Sequence, residues 1–373
     1  MNLFVFRSLP LEADSRTQRN MHLSDEMVAY SCTWEKRHSI VKNEKSLIFP
    51  FDKSGNSFVR GFKYMLFILW IPYVVLTRAR KGDAIIFMDL ETVLLGGIAA
   101  KLKGVVTIFD IVDPFSQTKK SLRTWASLID RLECFMARKA DVLMVPHECR
   151  VKYYNDTIGL GSLVREAFIV ENLPIYLEKT NYDDKLRSRN IRIGYFGTLD
   201  YDSRGLEFLI ALAEKHPESI SVFFSGQGSM EGELVDISKS HQNIHFSGGF
   251  NASQLPDLYN NVDFTWAYYC PKVKLHEYAA PNKFYEHLYF ETPIITSSII
   301  PQAKVINDLG SGVMVDLSSD SVDILHRALN DFVEQHEKFN VTPIRAYWKK
   351  TYFEYYFKKK KEFALIINQL KFR

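Results

Sequence analysis

The sequence contains little cysteine, little net charge and no apolar run of bilayer-spanning length, and each shortage excludes a class of protein. Its four cysteines, Cys32, Cys134, Cys149 and Cys270, form no CxxC pair and have no histidines at metal-ligand spacing. They indicate reduced thiols rather than a disulfide framework or a zinc site. The formal net charge is only +3, whereas a protein dedicated to nucleic acid is usually strongly basic. We therefore expect no nucleic-acid partner.

The most apolar segment, residues 64–77, is shorter than the roughly 20 apolar residues that a membrane-spanning helix needs. We expect a buried helix that is broken near Pro72. Basic flanks leave a second interpretation, a helix lying at a lipid headgroup surface. The flanking residues are Arg60, Lys63, Arg78, Arg80 and Lys81.

Two further segments bear on location in the cell. The N-terminal residues NLFVFRSLPLEADSR become charged too early for a signal peptide, so we expect a cytoplasmic protein. The lysine run at residues 358–361 follows several aromatic residues. A solvated run is favoured there, with a membrane-surface patch as the alternative. A peripheral position at the inner face of the cell membrane therefore stays open.

Short apolar strands alternate with helical patterns in the first half of the chain. Of the 373 residues, 46% are hydrophobic and 24% charged, which is typical of a globular protein with the length for two domains. The alternation predicts a parallel sheet with helices on both faces, whose ligands bind at the carboxyl ends of the strands. The candidate strands are residues 2–6, 28–33, 84–88, 105–109, 142–145 and 167–170, and the candidate helices are residues 16–27, 58–80, 92–103 and 121–139.

A polar segment without periodicity, residues 172–190, separates this half from a second one. We predict an N-terminal Rossmann-like domain at residues 1–172, a linker at 173–190, a second domain at 191–344 and a helical tail at 345–373. The candidate strands of the second domain are residues 191–196, 220–224, 243–246, 262–266, 293–296 and 312–315.

The stretch APNKFYEHLYFETPIITS, residues 280–297, has the parts of a nucleotide-binding helix start. A helix that begins at Lys283, with Asn282 near its cap, directs backbone N–H groups and a positive dipole end at an anion. Lys283 adds a full positive charge. Glu286 lies one turn further, where its carboxylate can accept two hydrogen bonds from a ribose diol. An ordinary solvated amphipathic helix is the alternative.

This stretch resembles the nucleotide-sugar signature P-(S/N)-K-x-x-E-(Y/H)-L-x-x-x-x-P-(V/I)-I of GT-B glycosyltransferases of the GT4 type. The resemblance implies an α/β fold of the GT-B kind, with two doubly wound Rossmann-like domains facing each other across a cleft. It places the acceptor in the first domain and the donor in the second, and it implies that the C-terminal helix crosses back to the first domain. It also implies donor-binding roles for Asn282, Lys283, Phe284 and Glu286.

The segment IRIGYFGTLDYDSRGLEFLI, residues 191–210, extends the resemblance. Gly197 allows the backbone to approach a ligand closely. Arg204 falls where the family places a cation for the diphosphate. Thr198 stands where the family usually has an arginine. Gly226 and Gly228 follow the next strand, at the position of the family's G-x-G loop.

The family's second glutamate, eight residues before Glu286, is replaced by Tyr278, with Glu277 beside it. Either Glu277 holds the transferred sugar through a shifted loop, or the sugar is held differently. Both residues are therefore donor-binding candidates. Arg204 and Lys283 are expected to neutralise the leaving diphosphate without a metal.

In the first half, the segment RSLPLEADSRTQR, residues 7–19, resembles bacterial polysaccharide glycosyltransferases. Carboxylates that follow successive strands meet on one rim of a parallel sheet, where they are costly unless they bind something. The acceptor-binding candidates are Asp14, Arg16, Asp89 and Glu91.

The element FDIVD at residues 109–113 matches the family's Y-D-x-x-(D/E) element. Many family members carry a histidine in this loop, where this chain has Val112. A catalytic acid–base role therefore falls to Asp110 or Asp113. These two residues complete the catalytic candidates, together with the cations Arg204 and Lys283. Helix capping and loop ordering are the alternative for each aspartate.

We expect a retaining glycosyltransferase that moves a sugar from a nucleoside diphosphate sugar, with UDP favoured, to a lipid-linked or growing polysaccharide acceptor. The triplet DYD at residues 200–202 has the spacing of a metal-binding DxD motif. We discount it, because GT-A enzymes, which use that motif, begin their nucleotide fold at the N-terminus. The alternatives are a nucleotide-sugar 2-epimerase of the same fold and a catalytically silent assembly subunit.

Overall fold

A computed structural model describes residues 1–35, 45–118, 120–158, 167–174, 190–201, 203–317, 321–335 and 340–371. The chain forms two compact units. Unit 1 comprises Met1–Glu171 and Glu354–Arg373, and unit 2 comprises Asn172–Phe353. Most of the predicted linker, residues 175–189, lies outside the described residues.

Unit 1 contains a sheet of seven parallel strands in the order β3-β2-β1-β4-β5-β6-β7. Its helices connect successive strands, as in a doubly wound fold. The strands are β1 (Asn2–Arg7), β2 (Val28–Thr33), β3 (Ser46–Ile48), β4 (Ala84–Met88), β5 (Val106–Asp110), β6 (Val142–Val145) and β7 (Ala167–Ile169). The helices are α1 (Ser15–Met21), α2 (Ser57–Arg78), α3 (Leu90–Leu102), α4 (Ala126–Lys139) and α5 (Glu148–Ile158).

Unit 2 contains six parallel strands in the order β10-β9-β8-β11-β12-β13. Its strands are β8 (Ile191–Phe196), β9 (Ile220–Ser225), β10 (Ile244–Phe246), β11 (Phe264–Trp266), β12 (Ile294–Thr296) and β13 (Gly312–Met314). Its helices are α6 (Leu206–Lys215), α7 (Glu231–Ser240), α8 (Leu255–Asn260), α9 (Asn282–Tyr289), α10 (Ala303–Leu309), α11 (Ser321–Gln335) and α12 (Thr342–Thr351).

The predicted α/β class is confirmed, and every strand predicted from an apolar run is present to within two residues at each end. The short strand β3 and helix α5 were not predicted. The predicted helical tail forms two helices, which belong to different units. Helix α12 stays with unit 2, where Arg345 forms a bidentate ion pair with Glu291 at 2.9 and 2.8 Å. Helix α13 (Tyr355–Leu370) belongs to unit 1.

Helix α2 differs from the expectation in two ways. It runs unbroken through Pro72, because the loss of one N–H bond is outweighed by the packing of Phe67 and Ile71 before the proline and of Val74 and Val75 after it. It is also largely exposed, since only 22% of its most apolar 18-residue segment is buried. By length and composition alone, this 22-residue helix could cross a membrane.

Both faces of the unit 1 sheet are covered. On one face, Phe363 and Ile367 of α13 pack with Val5 of β1. On the other face, the rings of Phe6 and Phe87 stack at 5.6 Å and Trp70 of α2 contacts Phe6. Because neighbouring residues of a strand point to opposite faces, α2 and α13 lie on opposite sides of the sheet.

Helix α3 packs closely on β4 and α2 through Gly96. A Cβ atom on Gly96 would lie 2.4 Å from Cε1 of Phe87 and 2.7 Å from Cγ2 of Ile71. We expect Gly96→Ala to lower the free energy of unfolding by about 1–3 kcal/mol through overpacking. The adjacent Gly97→Ala places its methyl no closer than 3.4 Å to a neighbour, so it should be neutral or stabilising by up to about 1 kcal/mol. Urea unfolding of both variants checks this, and equal effects would contradict the packing described.

Candidate functional site

The loops that follow β8 and β9 pack backbone against backbone at the carboxyl edge of the unit 2 sheet. The Gly197 N–H donates to the Ser225 carbonyl at 2.9 Å. A Cβ atom on Gly226 would lie 1.7 Å from the Gly197 oxygen, and one on Gly228 would lie 2.2 Å from the Leu199 oxygen. These glycines let two loops converge where a side chain would separate them.

Lys283, the second residue of α9, lies beneath these loops. Its ammonium donates to the carbonyl of Phe196 and sits 4.8 Å from the centre of the Tyr195 ring. A Cβ atom on Gly197 would lie 2.7 Å from Nζ, so this glycine makes room for the ammonium. Burial lowers the pKa of Lys283 to about 8, Glu286 acts to raise it and Arg204 lowers it further. The charges of all three predicted residues therefore act at one place.

Helix α9 begins one residue earlier than predicted. Pro281 is its N-cap residue, in an extended conformation, and Asn282 is the exposed first helical residue rather than the cap. Pro281 has no side-chain donor or acceptor and therefore makes no side-chain cap hydrogen bond, whereas its carbonyl accepts from the Phe284 N–H at 3.2 Å. The preceding loop is fixed by Asn172, whose side-chain amide donates to the Ala280 carbonyl at 2.9 Å. The positive end of the helix dipole lies at Asn282 and Lys283.

Glu286 accepts a hydrogen bond of 2.8 Å from the hydroxyl of Tyr259, a buried residue of α8. Burial, with Glu286 nearby, raises the pKa of Tyr259 well above its ordinary value, so the phenol keeps its proton and donates. Glu286 itself is half-buried. Tyr259 orients the carboxylate, and its role was not predicted, because one aromatic residue on a short helix has no distinctive sequence pattern.

Arg204 lies in the loop before α6 with its guanidinium 4.5 Å from the centre of the Tyr269 ring. Its carbonyl accepts from the Trp266 indole at 2.8 Å. Gly205 follows in a left-handed conformation with φ of 60°, where a Cβ atom would lie 2.7 Å from Cδ1 of Tyr268. The backbone is thus fixed on both sides of the arginine. The sequence analysis did not predict Tyr269 or Tyr195, the two rings beneath the cations.

The other donor-binding candidates divide by exposure. Thr198 and Glu277 are exposed, and the Thr198 carbonyl accepts from the Tyr195 hydroxyl at 2.6 Å. Tyr278 is buried at the end of a 3-10 helix, Lys274–Tyr278. Phe284 is buried against Tyr285, with ring centres 5.1 Å apart. Its side chain is part of the core of unit 2, so the predicted contact of Phe284 with the donor stays a prediction that its backbone alone could fulfil.

In unit 1, Arg16 and Asp110 form a fully buried ion pair. Nε and Nη2 of Arg16 donate to the two carboxylate oxygens at 2.9 and 2.8 Å, and Nη1 donates to the carbonyl of Val170. Asn20 donates to the same carboxylate at 2.7 Å. Asp110 is 0% exposed. The pair joins α1 to β5 and to Val170, the residue after β7, inside the core, so the structure gives Arg16 and Asp110 a structural role, and their predicted parts in acceptor binding and catalysis stay predictions.

Arg7 gathers a second buried group of charges. It forms ion pairs with Asp14, at 3.0 Å, and with Asp89. Burial raises the pKa of Asp89 well above its ordinary value against the opposing effect of Arg7, and Glu91, Asp113 and Asp14 raise it further. Asp89 also has φ of 64°, a conformation that costs a non-glycine residue energy and is concentrated at functional sites. Arg7 was not among the predicted residues.

Asp14 has a local structural role as well. Its carboxylate caps α1 by accepting from the Arg16 N–H at 3.2 Å and from the Thr17 hydroxyl at 2.6 Å. Glu91 is buried and accepts from the Ser8 hydroxyl at 2.7 Å. The predicted role of Asp14 in acceptor binding is therefore weakened by its use as a cap.

Asp113 is the exposed carboxylate among the predicted residues of unit 1. Its side chain is 54% exposed, and it pairs with the buried Arg150. An ion pair of this kind holds the carboxylate in one orientation while one side remains accessible. Of the two aspartates predicted to be catalytic, Asp113 alone can meet a ligand without opening the core.

The two parallel sheets with flanking helices have the GT-B fold. No protein-family model and no curated protein sequence matches the chain, whereas solved structures match over nearly all of it. One is WaaG, a glycosyltransferase involved in lipopolysaccharide biosynthesis, with a TM-score of 0.65, 14% identity, and coverage of 98% of this chain and 99% of that one. Another is the sucrose-phosphate synthase of Thermosynechococcus elongatus, with a TM-score of 0.66, 12% identity and 99% of each chain.

A third similar structure, the trehalose-6-phosphate protein from E. coli, is bound with UDP-2-fluoro glucose. Its TM-score is 0.64 and its identity 13%, over 100% of this chain and 99% of that one. At identities this low, the similarities establish the fold alone.

The buried pair in unit 1 leads to a stability prediction. We expect Asp110→Ala to lower the free energy of unfolding by about 3–5 kcal/mol, because it leaves the Arg16 guanidinium buried without its charge partner. Asp25→Ala is the matched control, since Asp25 pairs with Lys360 at the surface and should contribute at most about 1 kcal/mol. Urea unfolding followed by circular dichroism compares the two. Similar small losses would show that Asp110 is accessible to solvent.

Proposed function

We propose that the protein is a retaining glycosyltransferase of the GT4 type that uses a nucleoside diphosphate sugar. The observation that carries this is the geometry at the start of α9, where the Lys283 ammonium lies against the Phe196 carbonyl and the Tyr195 ring, and where Glu286, one turn further along, is held by the Tyr259 hydroxyl. With Arg204 as a second cation, the positive end of the α9 dipole suits a diphosphate, and the Glu286 carboxylate suits a ribose diol. The similar E. coli structure holds a UDP-sugar analogue, which supports UDP as the donor nucleotide.

In the proposed reaction, the bond between the anomeric carbon and the diphosphate oxygen breaks, and the acceptor oxygen bonds to the same face of that carbon. The acceptor proton passes to the departing diphosphate. Arg204 and Lys283 stabilise the negative charge that develops there, without a metal. Glu286, oriented by Tyr259, holds the ribose. Glu277, which is exposed, contacts the transferred sugar.

The acceptor is proposed to bind at the carboxyl edge of the unit 1 sheet. Asp113 orients the acceptor hydroxyl, and the strained Asp89 with Glu91 shapes the wall beside it. A lipid-linked or growing polysaccharide is the proposed acceptor, by analogy with WaaG, which is involved in lipopolysaccharide biosynthesis. Incubation with a UDP-sugar alone separates transfer from the 2-epimerase reaction, which needs no acceptor, and turnover with any acceptor excludes a silent subunit.

Glu286→Ala tests the nucleotide site. We expect it to weaken UDP binding by about 10-fold to 100-fold, because a charged group that accepts ribose hydroxyls contributes about 1.5–3 kcal/mol. Isothermal titration calorimetry measures the dissociation constant. Glu277→Ala is the control and should leave the affinity for UDP unchanged, since UDP carries no sugar for it to hold. Unchanged affinity in Glu286→Ala would contradict the proposed site.

The lowered pKa of Lys283 makes nucleotide binding depend on pH. The ammonium must be protonated to attract the diphosphate, and its pKa in the free protein is about 8. Affinity for UDP should therefore fall about tenfold between about pH 7 and about pH 9. Lys283→Arg stays charged throughout this range and should show a flat profile. Calorimetry across the range checks this, and a flat profile for the unchanged protein would contradict a diphosphate ligand that titrates near pH 8.

A further inference from the structure

Helix α2 presents an apolar stripe to solvent along its whole length. The stripe recurs at the three- and four-residue spacing of one helix face, and its first member, Phe58, is 85% exposed. The opposite face of the helix is buried against the sheet, as described above. The exposed members are Phe58, Phe62, Met65, Leu69, Tyr73 and Leu76.

Two neighbouring helices extend this apolar surface. Helix α2 packs against α3, and α3 packs against α4. Each of these helices also carries exposed apolar residues at helical spacing. They are Leu95, Ile98 and Leu102 on α3, and Trp125, Leu128, Leu132 and Phe135 at the start of α4 and along it. We call the exposed side of α2, α3 and α4 the apolar–basic face.

The charges on this face have one sign. Within α2, α3 and α4, whose residues the structure describes throughout, every exposed charged residue is basic. The carboxylates of Glu91, Asp130 and Glu133 on the same helices are buried. The exposed basic residues beside the apolar residues of α3 and α4 are Lys101, Arg131, Arg138 and Lys139, whereas Arg60 and Arg78 lie at the two ends of α2, on the side of the helix away from its stripe.

We propose that the apolar–basic face docks on an anionic lipid surface, with α2 lying in the plane of the interface. Thirteen large apolar side chains on three adjacent helices exceed the scattered surface residues of an ordinary soluble protein. Exposed lysines and arginines around such a surface add attraction to anionic headgroups. The occupant thus has to be apolar within and negatively charged at its surface, as an acidic bilayer is.

The packing of α2 favours a helix that lies in the plane of the interface over one that spans the membrane. The inner face of α2 joins an aromatic cluster in which Phe67 stacks with Trp34 at 5.6 Å and with Trp70 at 5.9 Å, while Phe49 meets the Phe67 ring edge at 5.5 Å. A helix crossing the bilayer would have to leave this cluster and uncover the sheet. A helix lying in the interface keeps its inner packing and buries only its outer stripe.

The charge of the apolar–basic face favours docking on lipid over a symmetric dimer formed through the same face. In a two-fold interface the same patch lies on both copies, so the four basic residues of α3 and α4 in one copy would face those of the other. Like charges brought together without partners oppose association. The lysine run of α13 is a weaker candidate for lipid, because Lys358, Lys359 and Lys360 pair with Glu354, Glu362 and Asp25.

Flotation with lipid vesicles tests the proposal on the full chain. The protein should float with vesicles of phosphatidylcholine and phosphatidylglycerol and bind far less to phosphatidylcholine alone. The double variant Leu69→Asp/Leu128→Asp should lose at least about tenfold in partitioning, because both positions insert apolar surface. The control Ile324→Asp/Leu365→Asp also changes two exposed apolar residues, on α11 and α13, and should bind as before.

Charge reversal and light scattering complete the test. Arg131→Glu/Arg138→Glu should remove the preference for anionic vesicles while the protein still folds. No binding to anionic vesicles, or equal loss in both double aspartate variants, would overturn the proposal. So would a dimer, seen by light scattering without lipid, that Leu69→Asp/Leu128→Asp converts to a monomer. UDP calorimetry should be unchanged in every variant, so failure of the proposed transferase and failure of lipid docking are distinguishable.

Discussion

Parallel pairing of every strand is the constraint on which both units depend. A parallel sheet needs a crossover after each strand, so all carboxyl ends meet along one edge, and every loop on that edge can bring a side chain to the same place. In unit 2 this edge joins the loops after β8 and β9 to the start of α9. The glycines at residues 226 and 228 then reduce the distance between loops to backbone contact, and Gly197 leaves room for the Lys283 ammonium. A diphosphate site needs this convergence, because its ligands come from segments far apart in the sequence.

The two edges differ in how their cations are held, and this difference supports the roles that we propose for them. Arg7, Arg16 and Arg150 of unit 1 are paired with carboxylates, so their charge is largely used within the protein. The Lys283 ammonium of unit 2 lies against a carbonyl and an aromatic ring, neither of which carries a charge. An ammonium held against uncharged groups keeps its attraction for an incoming anion. This attraction supports the proposal that unit 2 binds the diphosphate.

The sequence predicted the parts of this molecule that follow from periodicity. Apolar runs located the strands because a buried parallel strand needs both faces apolar, and the helix at residue 282 was found to within one residue. Periodicity does not predict which charged side chains are buried. Asp110 ends β5 and Asp113 lies three residues later in the following loop, yet Asp110 is buried against Arg16 and Asp113 is exposed. The difference depends on a partner 94 residues away. The rings beneath the cations were missed for the same reason.

Helix α2 shows why an apolar segment alone does not reveal its environment. A helix that is apolar on all sides suits the core of a large protein or a lipid interface equally well, since both remove apolar surface from water. In this fold the sheet covers one side of α2 only, so the helix is not a core helix on its other side. The sheet buries Phe67, Ile71, Val74 and Val75, and no described segment of unit 1 covers the opposite stripe. Helices α3 and α4 also expose apolar residues, and their exposed charges are all basic. The apolar surface therefore extends over the three-helix layer rather than over α2 alone. The residues that made α2 look like a core helix are thus the same residues that suit it to lipid on its second side.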